Sequence, residues 1–335
     1  SKAGIQRGDI LTQANGKSIQ NMNFEDIVTE LTGPVGTMVD LQLVRKEEAI
    51  NLQIKRDIVK IENVQSSLLN TMDSKFGLIT IESFMDDQLA EKVSFHISKL
   101  TESGANGLII DLRNNGGGFL NPAVDIGALF LGKVPITTLV DFKTKHRQHL
   151  VSSDFDKITK LPLVVLINHE SASASEVFSG AIKDYGRGWI VGIRSFGKGS
   201  AQLLSEYDSN TELILKETTS LFYHPSGNTN QLVGISPDFE VWSDPNGTEK
   251  DYPEILREED LFVNPLDASP IPSIISEDFL NTKNKIRNKL HSKISDCILD
   301  KTRALNSYNE SNAANDYQLL YAEEVLFCHK INIRL

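Results

Sequence analysis

The run Ser171-Ala172-Ser173-Ala174-Ser175 follows an apolar stretch, Leu161 to Ile167, and opens a helical pattern, Glu176 to Lys183. Small side chains let a backbone turn sharply and leave room for an incoming group. A serine hydroxyl held at a helix N-terminus is placed to attack a carbonyl, with the positive end of the helix available to the oxyanion. The same residues also read as an ordinary helix start, with Ser173 or Ser175 as N-cap. A hydroxyl is a weak nucleophile and needs a base. The seven histidines are His96, His146, His149, His169, His224, His291 and His329; His169 lies four residues before Ser173, but no acid pattern orients it. Lys198, in Ser195-Phe196-Gly197-Lys198-Gly199, is the other choice. A neutral lysine is a competent base once burial lowers its pKa from about 10.4. Gly197 and Gly199 would let that turn press against the serine turn, whereas a solvated surface lysine is the plainer reading.

A third turn, Asp111-Leu112-Arg113-Asn114-Asn115-Gly116-Gly117-Gly118, follows another apolar run. Three consecutive glycines are costly in backbone entropy, and one reason to carry them is a turn whose N–H groups face an anion. A tight crossover without a ligand is the alternative. The spacing fits neither a Gly-Lys-Ser/Thr phosphate loop nor G-x-G-x-x-G.

The elements that must hold these turns alternate. Phe76 to Ile81, Gly107 to Leu112, Leu161 to Ile167 and Trp189 to Gly192 predict strands, and Leu89 to Leu100, Val124 to Leu131 and Glu176 to Lys183 predict helices. That alternation predicts an α/β core with a central, mainly parallel sheet, in which ligands gather beyond the carboxyl ends of the strands. Residues 58–75 read as a linker or short helix. Glu212 to Lys216 and Thr218 to Tyr223 read as a hairpin. From Glu240 to Asp267 nine acidic and two basic residues, with three prolines, predict an irregular solvated strap. Helical stretches follow from Ser276 to Leu326, with a loop over 306–315. Cys297 and Cys328 fall in these helices, 31 residues apart; an oxidising compartment would favour a bond, and the expectation is that the helices dock antiparallel with the sulfurs within reach.

Forty per cent hydrophobic and 24% charged residues are the balance of an ordinary globular chain of 335 residues, long enough for two or three domains. No apolar run approaches the ~20 residues that span a bilayer. Two cysteines outside any C-x-x-C pair argue against a zinc cluster. With 34 basic and 45 acidic side chains, a net charge of −11 argues against nucleic acid as a partner. The opening residues lack a basic-then-apolar signal segment, which decides nothing about compartment if the sequence is part of a precursor. Asn-x-Ser/Thr at Asn246 and Asn309 reads as chance.

Residues 1–57 predict a small β-rich module. Turns fall at Gly8, Asn15-Gly16 and Gly33-Pro34; Val39, Leu41 and Leu43 alternate with polar neighbours, and Phe24, Ile27, Val28 and Leu31 have helical spacing after Asn23 as N-cap. The phrase KAGIQRGDILTQANGKSI resembles the middle of a PDZ domain, a family that binds extended C-terminal peptides as an added strand. The carboxylate-binding loop and first strand that normally precede this phrase are not seen before it, so the resemblance is to a partial PDZ domain.

Downstream, DLRNNGGG, NHESASASEVFSGAIKDYGRG, SFGKGSAQ and GISPD resemble, in this order, the C-terminal processing peptidases, or tail-specific proteases. The resemblance runs from residue 2 to about 240. It implies a crotonase-like α/β core over residues 58–240, behind a partial PDZ domain over 1–57. The acidic strap and helical extension, 241–335, resemble the larger, Tsp-like bacterial branch. It implies a serine endopeptidase that cleaves unfolded or tail-exposed proteins near apolar C-termini. By the same resemblance Ser173 is the nucleophile, Lys198 the base, and Gln202 steadies the lysine. Ala174 and Gly118 supply oxyanion N–H groups, and Asp184 stands where some members have a supporting acid. No metal or other cofactor is implied. The implied compartment is the periplasm, with an adaptor or a second copy as further partners. The rival readings are a catalytically impaired peptide-binding scaffold, a retinoid-binding module on the same core, and an unrelated hydrolase with a histidine base.

Overall fold

A computed structural model describes residues 4–5, 9–45, 48–58, 62–71, 74–206, 214–244, 247–252, 254–261, 266, 268–305 and 316–333. The protein divides into two compact units, Ser1–Ile61 and Glu62–Leu335.

The first unit is an antiparallel sheet of four strands and one helix. β1 (Ile10–Ala14), β2 (Lys17–Ser18), α1 (Phe24–Leu31), β3 (Met38–Arg45) and β4 (Glu48–Lys55) follow in chain order, and the sheet order is β2-β1-β3-β4. Asn15 and Gly16 both take positive φ, as a tight two-residue hairpin demands. Period-two alternation puts Val39, Leu41 and Leu43 inside. The Asn23 carboxamide accepts from Asp26 N–H and caps α1.

The second unit is built on a six-stranded sheet, in the order β14-β11-β10-β7-β6-β5. Its chain runs β5 (Val64–Asn70), β6 (Lys75–Ile81), α2 (Leu89–Glu102), β7 (Leu108–Asp111), α3 (Leu120–Leu131), β8 (Thr137–Asp141), β9 (Arg147–Leu150), β10 (Leu163–Ile167), α4 (Ala174–Asp184), β11 (Trp189–Gly192), β12 (Ser200–Glu206), β13 (Ile214–Tyr223) and β14 (Phe239–Glu240). α5 (Glu258–Leu261), α6 (Glu277–Leu305) and α7 (Tyr317–Ile333) complete it. All pairings in the six-stranded sheet are parallel except β5 with β6.

The unbroken apolar runs of β7 and β10 have a simple cause: both faces are covered. Leu108, Ile110, Leu163, Val165 and Ile167 point to one face, against Val93 and Ile97 of α2, Phe130 of α3 and Phe178 of α4. Ile109, Val164 and Leu166 point to the other, against Ile294 and Ile298 of α6 and Val325 and Leu326 of α7. A disulfide joins Cys297 to Cys328 across those two helices, with Cα atoms 5.9 Å apart, as the sequence led one to expect. A second, antiparallel sheet, β12-β13-β8-β9, stands beyond the ends of the parallel strands.

Two expectations need correction. Residues 58–75 contain a strand, β5, rather than a helix; it is an edge strand covered on one face, so its pattern is diluted by polar residues. The hairpin expected over 212–223 is a single strand from Ile214 to Tyr223, because Lys216-Glu217-Thr218 carries no turn residue; its partner is β12. Glu212 and Leu213, like the loop expected over 306–315, lie outside the described residues. The β8–β9 hairpin was not anticipated. Its turn is closed by the Asp141 carboxylate, which accepts from the N–H groups of Lys143 and Thr144.

Candidate active site

The three motif turns converge beyond the carboxyl ends of β7, β10 and β11. β7 delivers the glycine turn, β10 the serine turn, and β11 the lysine turn. Asn115 stitches the first two together: its carbonyl accepts from Ala172 N–H and from the Ser175 hydroxyl, and its buried carboxamide bridges Ile81 O and Gly117 N–H. Asn168 Oδ1 accepts from Asn114 N–H at 2.9 Å. Gly117 has no room for a side chain; a Cβ there would stand 2.7 Å from Ala172 O and 2.9 Å from Ser173 Cβ. Its φ of +96° is also glycine's territory.

The three serines of the run are held very differently. Ser171 is buried and its hydroxyl donates to Leu112 O at 2.8 Å. Ser175 is buried and its hydroxyl donates to Asn115 O at 2.9 Å. Ser173 is partly exposed, and its hydroxyl donates to no acceptor among the described residues. It lies at the junction of strand turn and helix with φ +56° and ψ −114°, a conformation that residues with a Cβ rarely adopt. Backbone held in this way costs of order 1–3 kcal/mol and persists only where its surroundings enforce it. Here Glu176 does the enforcing.

Glu176, at the third position of α4, is fully enclosed and accepts four hydrogen bonds. Its Oε2 takes Ser173 N–H at 2.8 Å and Lys198 N–H at 2.9 Å; its Oε1 takes Gly197 N–H at 2.8 Å and the Ser195 hydroxyl at 2.6 Å. One carboxylate therefore fastens the serine turn to the lysine turn. Burial pushes its carboxyl up to about 7, against the four donors that favour the anion. Sequence reasoning missed this residue. The signal was available, since an acidic side chain three positions after a serine at a helix start is a capping-box pattern.

Ser173, Ala174, Gly118, Lys198 and Gln202 line one cavity of about 600 Å³, together with Met85, Phe119, Leu120 and Phe222. The N–H groups of Ala174 and Gly118 have no acceptor among the described residues. Gly118 is pinned there by Phe84, which pairs with it as a parallel bridge; a Cβ would meet Phe84 C at 2.5 Å. Lys198 is half-buried. Burial, and then the charge of Lys216, hold its ammonium below the ordinary lysine value, while Glu258 and Glu176 work in the opposite sense. Among the described residues no hydrogen bond joins Ser173 Oγ to Lys198 Nζ. The lysine turn is braced from behind, where Gly197 O accepts from Leu232 N–H and Gly199 N–H donates to Gln231 Oε1.

Gln202 lies in the cavity wall, but its amide donates to Ser200 Oγ at 3.0 Å, and no bond to Lys198 is present among the described residues. Asp184 is the last residue of α4, eleven positions from Ser173 and so roughly 16 Å along the helix. Its carboxylate accepts from Ser226 N–H, which makes it an anchor for the 224–228 turn rather than part of this cavity. His169 lines a neighbouring hollow that it shares with Lys198, and burial lowers its pKa. Arg113 forms bidentate pairs with Asp111 and with Asp316 at the start of α7, tying the glycine turn to the C-terminal helices. Asp238, the acid of GISPD, accepts Ile190 N–H and pairs with Arg287.

A hydroxyl, a depressed lysine and two unclaimed N–H groups on one cavity are the parts of an acyl-transfer site. Residues 75–241 match peptidase family S41, and residues 1–45 match a PDZ domain. The chain belongs to peptidase family S41, with the family's core domain behind a PDZ segment. It is 32% identical over 266 residues to a carboxy-terminal-processing protease of Bartonella bacilliformis, covering 78% of this chain and 60% of that one. It is 35% identical over 242 residues to a probable CtpA-like serine protease of Staphylococcus saprophyticus, covering 72% and 48%. Among solved structures it is similar to a photosystem II D1 C-terminal processing protease, at 27% identity and a TM-score of 0.50, covering 73% of this chain and 65% of that one. The chain thus spans about half to three fifths of the curated relatives it matches.

Proposed function

We propose that this chain is a serine endopeptidase that cleaves unfolded or tail-exposed proteins near apolar C-termini, through Ser173, Lys198 and an acyl-enzyme. The observation that carries this reading is the single cavity shared by Ser173, Lys198 and the free N–H groups of Ala174 and Gly118. Met85, Phe119, Leu120 and Phe222 in its wall favour apolar side chains. Neutral Lys198 takes the proton of Ser173 Oγ as that oxygen attacks the scissile carbonyl. Ala174 and Gly118 N–H groups receive the oxyanion; losing one such donor costs about 3 kcal/mol. The lysinium then protonates the leaving amine, and water enters through the same lysine to release the acyl group. Because the two side chains are not yet bonded, substrate binding must bring Nζ onto Oγ, as is common where catalytic contacts tighten only in the complex.

The PDZ segment supports protein substrates, whose tails it would present as an added strand. The proposed compartment is the periplasm, for which the Cys297–Cys328 bond is the support, since such bonds persist in oxidising surroundings. No helix among the described residues is long and apolar enough to cross a membrane. The test is digestion of an unstructured protein with an apolar tail. The wild-type chain is expected to shorten it, and Ser173→Ala to lose the activity by 10³-fold or more. Equal cleavage by Ser173→Ala, or none by either protein, would overturn the reading.

A further inference from the structure

The cavity carries a cation that the chemistry above does not use. Lys216 stands on β13, where it pairs across the ladder with Leu204, two steps beyond the Gln202–Thr218 pair. Side chains two apart on a strand share a face, so Lys216 and Thr218 project on the same side of the hairpin as Gln202, and Lys216 lines the cavity with Ser173 and Lys198. β8 pairs with β13 only over Ser220–Tyr223, so this part of the ribbon is two strands wide and open to an incoming chain. Its neighbour Glu217 points to the opposite face and pairs there with Lys143. Lys216 itself has no hydrogen bond or ion pair among the described residues. Asp87 also lines the cavity but forms no ion pair with Lys216 among the described residues. An unpaired ammonium set opposite a nucleophile, on a chain of net charge −11, makes a local positive field that draws an anion into the cleft.

We propose that Lys216 is the anion anchor of the cleft: it receives the free C-terminal carboxylate of a bound peptide, so that cleavage falls within a few residues of the chain end. This rests on the peptidase reading. The apolar wall takes the last side chains, and the ammonium fixes how far the tail can run past Ser173. A side-chain carboxylate near the end of a peptide offers the same charge, so the experiment must separate the two sources.

Three short fluorogenic peptides of one sequence serve: a free acid, its C-terminal amide, and an amide whose last residue is glutamate. Each is cleaved by wild type, Lys216→Met and Lys216→Arg, on the alkaline plateau. Comparing peptides on one enzyme cancels any change in Lys198 ionisation. The wild type is expected to favour the free acid over both amides by tenfold or more in kcat/KM, the size of a charge-assisted contact. Lys216→Met should collapse that ratio towards one, and Lys216→Arg should keep most of it. An unchanged ratio in Lys216→Met would overturn the anchor, and would point to carboxylate selection elsewhere in the chain. Equal rates for the free acid and the glutamate amide would overturn the C-terminal assignment. The peptidase reading fails separately: in that case no peptide is cut, and a serine-reactive phosphonate leaves no adduct on Ser173.

Discussion

At the scale of single residues, one serine of the three keeps a hydroxyl that donates to no acceptor among the described residues. Ser171 and Ser175 spend their hydroxyls on Leu112 O and Asn115 O. Alanine at either position should leave measurable peptide cleavage, reduced by a disturbed turn, while Ser173→Ala abolishes it. The base has a definite sign. A lysine base works only when neutral, so if Lys198 has the proposed role, kcat/KM should rise with pH through its depressed pKa and hold into mildly alkaline solution. Glu258 opposes that depression. Glu258→Gln should therefore move the rising limb to lower pH, by up to about one unit; a shift to higher pH would show that Glu258 acts otherwise. Glu176 touches no reacting atom but holds both turns. Glu176→Gln places an NH2 where only N–H and O–H donors converge, and should cut kcat by 10²-fold or more with KM little changed, read from steady-state kinetics at fixed pH. That Ser173 and Lys198 share one cavity was legible because short motifs carry the turns on which they stand. Glu176 lay inside one of those motifs, yet its four partners come from residues 173 to 198, and no local pattern reports a contact assembled by folding.

At the scale of elements, the glycine turn is a spacer cut to fit. Gly117→Ala combines a disallowed φ with contacts below 3 Å to the serine turn. It should slow phosphonate labelling of Ser173 at least tenfold while the far-ultraviolet circular dichroism stays unchanged. The parallel core was legible because each strand is covered on both faces and reads as an apolar run. β5 and β13 were not. An edge strand has one covered face, and a strand's partner is a long-range choice that alternation cannot announce. The same limit hid Lys216, whose place in the cavity depends on β13 pairing with β12.

At the scale of the whole molecule, helices α6 and α7 form the second cover of the six-stranded sheet; the Cys297–Cys328 bond joins them to each other, and the Arg113–Asp316 and Arg287–Asp238 pairs are among the ties that fasten them to the core. Closing a loop over a separation of 31 residues is worth about 3–4 kcal/mol by chain entropy. The double variant Cys297→Ser, Cys328→Ser should lose about that much in denaturant unfolding, and reductant should destabilise the wild type equally. That these helices pair was foreseeable from the two cysteines. That they lie on the sheet was not, because their apolar positions match any apolar surface. The central claim, that Ser173 is the nucleophile and Lys198 its base, has one direct measurement. The chain is treated with a serine-reactive phosphonate and digested, and the adduct is located by mass spectrometry in wild type and in Lys198→Arg, which stays charged at any working pH. The account predicts a single adduct on Ser173 in the wild type and labelling at least 10²-fold slower in Lys198→Arg. An adduct on Ser171 or Ser175, or equally fast labelling in both proteins, would contradict it.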